Sequence, residues 1–495
     1  MGRTMIEVWL LRILVVIFVG LFVAQMVTRL RLIARAQNNF SLTHPGARLR
    51  RVVREVVFQS KVIRGRPLPG LGHALVFWGF VIFLGYSVVQ FLLGLGMADF
   101  TRTHWFYVYR LIIVPFAVAV LLGIGGLVIR RAFVRPPGLG THVSGESVLI
   151  GVLIAALMAT FLLEFQLTRG TWGYAINWWA HVLIILAFLP LIPNSKHLHL
   201  FISPITIFLE SPVLGSVPNL DFEKEEMGSE TVANLEGKEV LDAFTCVECG
   251  RCQMNCPAYE TGKRLNPKEL ILANEKALLA HKLDARLTDV YGPGVLWQCT
   301  TCGACESQCP VGVEHLPLII GSRRGLVSNG DVPEYLTRIY TSIERRSNLW
   351  GFPSDQREEF VASASLERFD PARHEYLMWL GCAGSYDPDF QKSLRSLFHI
   401  LRAKRVTFGV LVEERCSGDV AKRTGNEFLF QELATQNIEQ FRTAGVKKIL
   451  TSCPHCLKTI GDDYRAFGFE AEVIHTSVFV SELMQDLQLE TKTRR

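Results

Sequence analysis

Eight cysteines between Thr245 and Pro310 repeat one pattern twice. Cys246, Cys249, Cys252 and Cys256 precede Pro257, and Cys299, Cys302, Cys305 and Cys309 precede Pro310. Each copy reads C-x2-C-x2-C-x3-C-P, the spacing that wraps thiolates around a 4Fe–4S cube when two cubes share a fold. Three cysteines of one run hold one cluster and the fourth crosses to the other. That rule assigns Cys246, Cys249, Cys252 and Cys309 to the first cluster, and Cys256, Cys299, Cys302 and Cys305 to the second. Zinc needs four ligands per site but no C-x3-C-P ending. Disulfides do not suit a reducing compartment.

The chain has twelve cysteines, all after Val240, so four remain: Cys382, Cys416, Cys453 and Cys456. From Glu375 onward apolar runs alternate with helical patterns: YLMWLG, a helix near 390–403, VTFGVLV, a helix near 426–443, KKILTS, a helix near 455–467, and AEVIHT. Such alternation predicts a parallel sheet with right-handed crossovers. The four cysteines follow three of the strands, at the carboxyl edge where open α/β sheets build their sites. A third iron–sulfur cluster is the expectation there, and a redox-active Cys453–Cys456 pair is the alternative. Between the two cysteine runs, Asn266 and Pro267 open a helix over KELILANEKALLAHKL. The 241–350 region is therefore expected to be an α-helical two-cluster module.

Composition supplies what must position these groups. The 495 residues are 49% hydrophobic, and the apolar ones concentrate in the first 205 positions. Five runs are long enough to span a bilayer: 6–27, 74–97, 105–128, 148–163 and 176–192. The first is longer than the apolar part of a signal peptide and lacks a small-x-small cleavage site. The net charge of +6 gathers in loops. Ten Lys/Arg lie from Arg29 to Arg66, and Arg130, Arg131 and Arg135 follow the third run, whereas the opposite loops hold only Arg102 and Arg169. The positive-inside rule then sets the N-terminus on the periplasmic side of a bacterial inner membrane and the cysteines in the cytoplasm. The charge reads as topology, and no nucleic-acid partner is implied. Residues 48–63 have an apolar face opposite cations, the pattern of a helix lying in the inner interface. The expected domains are 1–205 in the membrane, a linker over 206–240, the two-cluster module at 241–350, and the α/β domain at 351–495.

Histidines in an apolar setting are functional candidates. His181 and His199 stand eighteen residues apart, roughly 27 Å on one face of an extended fifth helix. His73 begins the second span level with His199, so these two are the expected ligands of an inner haem b. His181 with His104 is the corresponding outer pair. Arg12 and Arg110 lie toward the outer side, where arginines neutralise haem propionates or snorkel to headgroups. Glu164 with Arg169 suits a quinone or proton path.

The order C-x33-C-S-G, x34, C-x2-C resembles the cysteine-rich (CCG) domain of heterodisulfide reductase subunits. There the middle element is Cys-Cys-Gly; here it is Cys416-Ser417-Gly418. Together with both cysteine runs, GYAINWWAHVLIILAFLPLIPNSKHLHLFISP and SCPHCLKT, the chain over 70–490 resembles membrane-bound iron–sulfur oxidoreductases associated with electron-transferring flavoprotein (ETF). Those join a NarI-type cytochrome b membrane domain to a heterodisulfide-reductase-related iron–sulfur protein. The resemblance implies passage of electrons from ETF or another soluble flavoprotein, through 4Fe–4S clusters and haem b, to menaquinone or ubiquinone. NarI-type proteins carry two histidines on the second span, and Phe83 takes the place of the inner one here, which leaves one haem or two. Two further readings stay open. One is a thiol or heterodisulfide reductase drawing electrons from quinol. The other is a relay subunit whose partner chain carries a second CCG copy.

Overall fold

In the computed structural model of the protein, residues 4–37, 40, 42–136, 145–224 and 227–485 are described; Glu225 and Glu226 of the acidic linker lie outside them. Five helices are long and apolar enough to cross a membrane: α1 (Met5–Arg35), α2 (Pro67–Gly94), α3 (His104–Ile129), α4 (Gly145–Leu163) and α5 (Trp172–Leu191). The two charges that interrupt the first apolar run both engage backbone groups. Thr4 and Glu7 form a capping box at the start of α1, and Arg12 Nη2 donates to the Leu95 carbonyl at 2.9 Å. Glycines let α2 and α3 approach: a Cβ on Gly123 would stand 2.9 Å from the Gly72 carbonyl oxygen.

Two expectations for the membrane-proximal chain are corrected. Residues 176–199 do not form one helix. Pro193 lacks the amide hydrogen that continuation requires; α5 runs through Pro190 but ends at Leu191, and a turn follows. Ser195 Oγ then caps a short 3-10 segment, accepting from His197 N, and α6 (His199–Leu209) begins afresh. His181 and His199 therefore sit on different helices. Residues 48–63 are likewise broken. Helix Pro45–Val52 widens into a π turn over Val53–Val57, and Gln59 adopts a left-handed conformation (φ 53°) before helix Ser60–Gly65.

By compactness the chain divides into two units: residues 1–215 with 231–318, and residues 216–230 with 319–495. Sequence composition marks boundaries near 205, 240 and 350 by a different criterion. In the first unit, α6, α7 (Gly237–Thr245) and α8 (Pro267–Leu279) share one hydrophobic core with Leu32 of α1. Asn266 Oδ1 caps α8 by accepting from Lys268 N, and Pro267 takes the first helical position.

The second unit holds a four-stranded parallel sheet: β1 (Tyr376–Trp379), β2 (Phe408–Gly409), β3 (Lys448–Thr451) and β4 (Glu472–His475), in the order β2-β1-β3-β4. Leu377 pairs with Ile449 and Ile449 with Val473, so the apolar runs stack in register. β2 is shorter than VTFGVLV suggests because the chain beyond Gly409 pairs elsewhere. Val410 N donates to Glu367 O, and Phe369 N donates to Val410 O, both at 2.9 Å. A Cβ on Gly409 would lie 2.6 Å from Phe369 Cα. Gly409→Ala is expected to destabilise this unit by about 2–3 kcal/mol, measured as a lower denaturant midpoint of the detergent-solubilised chain.

Candidate metal centres

The two cysteine runs have the same backbone. In each, the residue before the second cysteine and the glycine after it are left-handed: Glu248 (φ 52°) and Gly250 (72°), then Thr301 (53°) and Gly303 (72°). Each glycine opens a short helix, Arg251–Met254 or Ala304–Gln308, that carries the third cysteine. The turns aim amides at sulfur: Thr301 N donates to Cys299 Sγ, and Val313 N to Cys309 Sγ, both at 3.3 Å. Burial raises the Cys246 thiol well above the ordinary range, and its neighbours Cys252, Cys309 and Cys249 add to that. Burial also pushes Cys309 up to about 12, with Cys249 beside it. In the second run, burial raises Cys305, with Glu306 and Cys299 as neighbours. The structure thus gathers Cys309 of one run with three cysteines of the other. Crowded, buried thiols of this kind suit positively charged iron, which replaces the protons they otherwise keep.

Cys382, Cys416, Cys453 and Cys456 converge at the carboxyl edge of the sheet. Cys382 and Cys416 are close neighbours, Cys456 N donates to Cys453 Sγ at 3.5 Å, and Cys456 lies beside Cys416. Gly381 (φ 68°) turns the chain at the end of β1. A Cβ there would stand 3.6 Å from Cys456 Sγ and 3.9 Å from Cys453 Cβ, so the glycine leaves a cradle between the thiols. The indole Nε1 of Trp379, 4.0 Å from that position, is buried without a hydrogen-bond partner. A buried orphan donor beside four thiols fits a group that carries acceptor sulfurs. Among the described residues no group of three or more His, Cys, Asp or Glu side chains is arranged to hold a single metal ion.

Sequence reasoning missed the buried carboxylate that fixes this loop. Glu414 accepts from Leu380 N at 2.9 Å and Gly381 N at 2.6 Å. Arg357 donates to the Glu414 carbonyl and, at 2.8 Å, to Ser385 Oγ. The only sequence signal was a carboxylate two residues before Cys416.

His73 and His199 meet across a cavity of about 340 Å³. Their ring centroids are 6.3 Å apart. Two Fe–N bonds of about 2.0 Å plus the two half-rings give about the same separation. Both Nδ1 atoms are engaged, His73 with Gln59 Oε1 at 3.1 Å and His199 with the Lys196 carbonyl at 2.5 Å, which leaves each Nε2 free for a metal. The left-handed turn at Gln59 is what delivers that partner. The cavity wall is apolar around Phe77, Phe80, Ile150 and Ile154, and its other side carries Arg66, Arg130, Arg131, Lys196 and Arg251. His197 Nδ1 and Arg131 Nε line it without hydrogen-bond partners.

The outer histidines are not brought together. His104 is exposed, His181 is buried with Nδ1 2.7 Å from Thr160 Oγ1 and its ring edge-on to Tyr86, and no ring contact joins the two among the described residues. The partner of Glu164 is Arg110 (3.3 Å), not Arg169. Glu164 also accepts from the Tyr86 hydroxyl and, at 3.4 Å, from Tyr174. Arg12 lies over the Trp9 ring.

These features define a membrane-anchored iron–sulfur electron-transfer protein. Profiles described as "4Fe-4S dicluster domain" and "Cysteine-rich domain" match residues 242–313 and 376–461. The "EtfAB:quinone oxidoreductase" of Syntrophomonas wolfei is 30% identical, over 87% of this chain and 71% of its own. The "Probable iron-sulfur-binding oxidoreductase FadF" of Bacillus subtilis is 33% identical, over 86% and 68%. A dihydromethanophenazine-dependent CoB–CoM heterodisulfide reductase component of Methanosarcina barkeri is 27% identical, over 51% of this chain and 66% of its own. The chain belongs to the family of iron–sulfur oxidoreductases that contains the first two. No solved structure matches it.

Glu414→Ala strips the loop before Cys382 of both acceptors and leaves the Arg357 guanidinium without its neighbour's fixed backbone. It is expected to lower the non-haem iron bound per chain relative to wild type, read by colorimetric iron analysis, with the iron of the 242–313 dicluster domain retained.

Proposed function

We propose that this protein oxidises a reduced soluble flavoprotein of the ETF type and reduces a membrane quinone. The observation that carries this reading is the placement, within one unit, of a histidine-lined membrane cavity against the loop of Cys249 and Arg251. Names borne by its relatives support the donor and acceptor: one is called an EtfAB:quinone oxidoreductase. Cys246, Cys249, Cys252 and Cys309 hold one 4Fe–4S cluster, Cys256, Cys299, Cys302 and Cys305 the second, and Cys382, Cys416, Cys453 and Cys456 the third. His73 and His199 hold a haem b. When bound, these groups supply one-electron carriers between a two-electron flavin and a two-electron quinone.

The residues around the carriers have separable roles. Gln59 and the Lys196 carbonyl orient the two imidazoles. Arg66, Arg130, Arg131 and Arg251 line the cavity with positive charge that suits propionates, so this role moves to them from Arg12 and Arg110. At the other end of the bundle, Glu164, Tyr86, Gln90 and Arg110 form a buried polar network. A carboxylate so placed in a membrane suits proton delivery to a reduced quinone. The iron–sulfur units face the cytoplasm, on the side of the Arg29–Arg66 and Arg130–Arg135 loops.

The test is stopped-flow reoxidation of reduced ETF by the reconstituted protein with a menaquinone analogue. Fast reoxidation that depends on both components is expected; a rate unchanged by the protein overturns the reading. His199→Ala is expected to remove the b-type absorption bands and slow quinone reduction by roughly tenfold or more while leaving the non-haem iron content intact. Glu164→Gln is expected to slow quinone reduction by roughly tenfold to a hundredfold with those bands unchanged.

A further inference from the structure

Two donors face the four-cysteine site of the second unit, and neither belongs to its ligand set. Ser417 is buried, and its Oγ accepts from the Cys456 thiol at 3.5 Å; with that proton replaced by iron, the hydroxyl is the group left to donate. The backbone on either side of Ser417 is pinned, which fixes where its side chain starts. Tyr464 donates to the Ser417 carbonyl at 2.8 Å, and Asn437 Nδ2 donates to the Cys416 carbonyl at 2.9 Å and to Tyr464 Oη at 3.0 Å. Trp379 is the second donor. Its indole N–H has no hydrogen-bond partner among the described residues, it borders the same Gly381 cradle that Cys456 Sγ and Cys453 Cβ border, and its ring is held edge-on by Phe441 at 5.4 Å.

We propose that Ser417 and Trp379 are positioning residues that set the reduction potential of the third centre by donating hydrogen bonds to its sulfur atoms. The inference rests on the reading that Cys382, Cys416, Cys453 and Cys456 hold an iron–sulfur cluster. Adding an electron makes such a centre more negative, and a fixed O–H or N–H dipole aimed at its sulfur stabilises the reduced form more than the oxidised one. In a buried site this difference is screened little by water. The position of Ser417 next to Cys416 gives the substitution of serine for a second cysteine a consequence. The hydroxyl lies at hydrogen-bonding distance from a ligand sulfur, where a thiol would be a weaker donor. Ser417 thus favours an electron-accepting centre over one that offers a spare thiol to a disulfide substrate.

The experiment is an EPR-monitored redox titration of the full-length, detergent-solubilised protein with iron analysis, comparing wild type, Ser417→Ala and Trp379→Phe. Each variant is expected to keep its iron and its EPR line count. Its third-centre midpoint is expected to be lower by a factor of about ten in the one-electron equilibrium, ~59 mV, with both dicluster midpoints unmoved. Two variants guard against misfolding, since phenylalanine keeps an aromatic ring against Phe441 while removing the N–H and part of the buried indole, and the iron count reports whether the site survives that loss of volume. Unchanged midpoints in both variants, with iron retained, overturn the inference and leave the cluster assignment standing. Loss of about four iron atoms in Ser417→Ala with an unmoved Trp379→Phe midpoint also overturns it, because Ser417 is then a ligand or a purely structural group. A wild-type protein with only eight iron atoms and no third signal overturns the cluster assignment itself, and the inference with it.

Discussion

Sulfur atoms that must be anionic and close together in a buried loop govern this structure. Unassisted, burial and mutual repulsion hold such thiols protonated, as at Cys246 and Cys309. Iron reverses that preference, and the protein's part is to hold the sulfurs where iron can bridge them. It does so with backbone more than with side chains. Left-handed residues on both sides of the second cysteine recur in the two runs, and amides are turned toward Cys299 and Cys309. The third site reaches the same end by a different route: strand ends supply the loops, and the Glu414 carboxylate ties down the turn before Cys382.

A second constraint couples the cluster loop to the membrane. Arg251, inside the first cysteine run, donates to the Lys61 and Val62 carbonyls at 2.9 and 2.7 Å. Arg66 donates back to the Cys249 carbonyl at 3.3 Å. A Cβ on Gly65 would fall 2.5 Å from Arg251 Nη1, so glycine at that position admits the guanidinium. These bonds join the loop to a segment whose Gln59 orients His73. Ordering the cysteine loop and ordering the histidine pair are thereby coupled through one segment.

Patterns in the chain are legible where their determinant is local. The five apolar runs, the helix capped by Asn266, the four strands and the cysteine spacing each reflect a periodicity or a contact within a few residues. The site is partly legible. His73 and His199 do face each other, yet the continuous helix expected to join His199 to His181 ends at Leu191, ahead of Pro193. Gln59 and Trp379 carry no sequence signal of their roles, and Glu414 only its place two residues before Cys416, because the partners lie along the chain at 14 positions for Gln59 and 34 for Glu414.

What the sequence determined by itself is the inventory: twelve cysteines in two spacings, five spans, and histidines at membrane depth. Its reach ends where side chains from distant segments must be compared in space. Only the tertiary structure decided that Glu414 ties down the turn before Cys382, that Glu164 pairs with Arg110 across helices, and that the inner histidines leave both Nε2 atoms free. The reason is physical. Spacing along a chain sets which turn or helix a residue occupies, whereas burial and hydrogen bonding depend on which distant surfaces the hydrophobic core presses together.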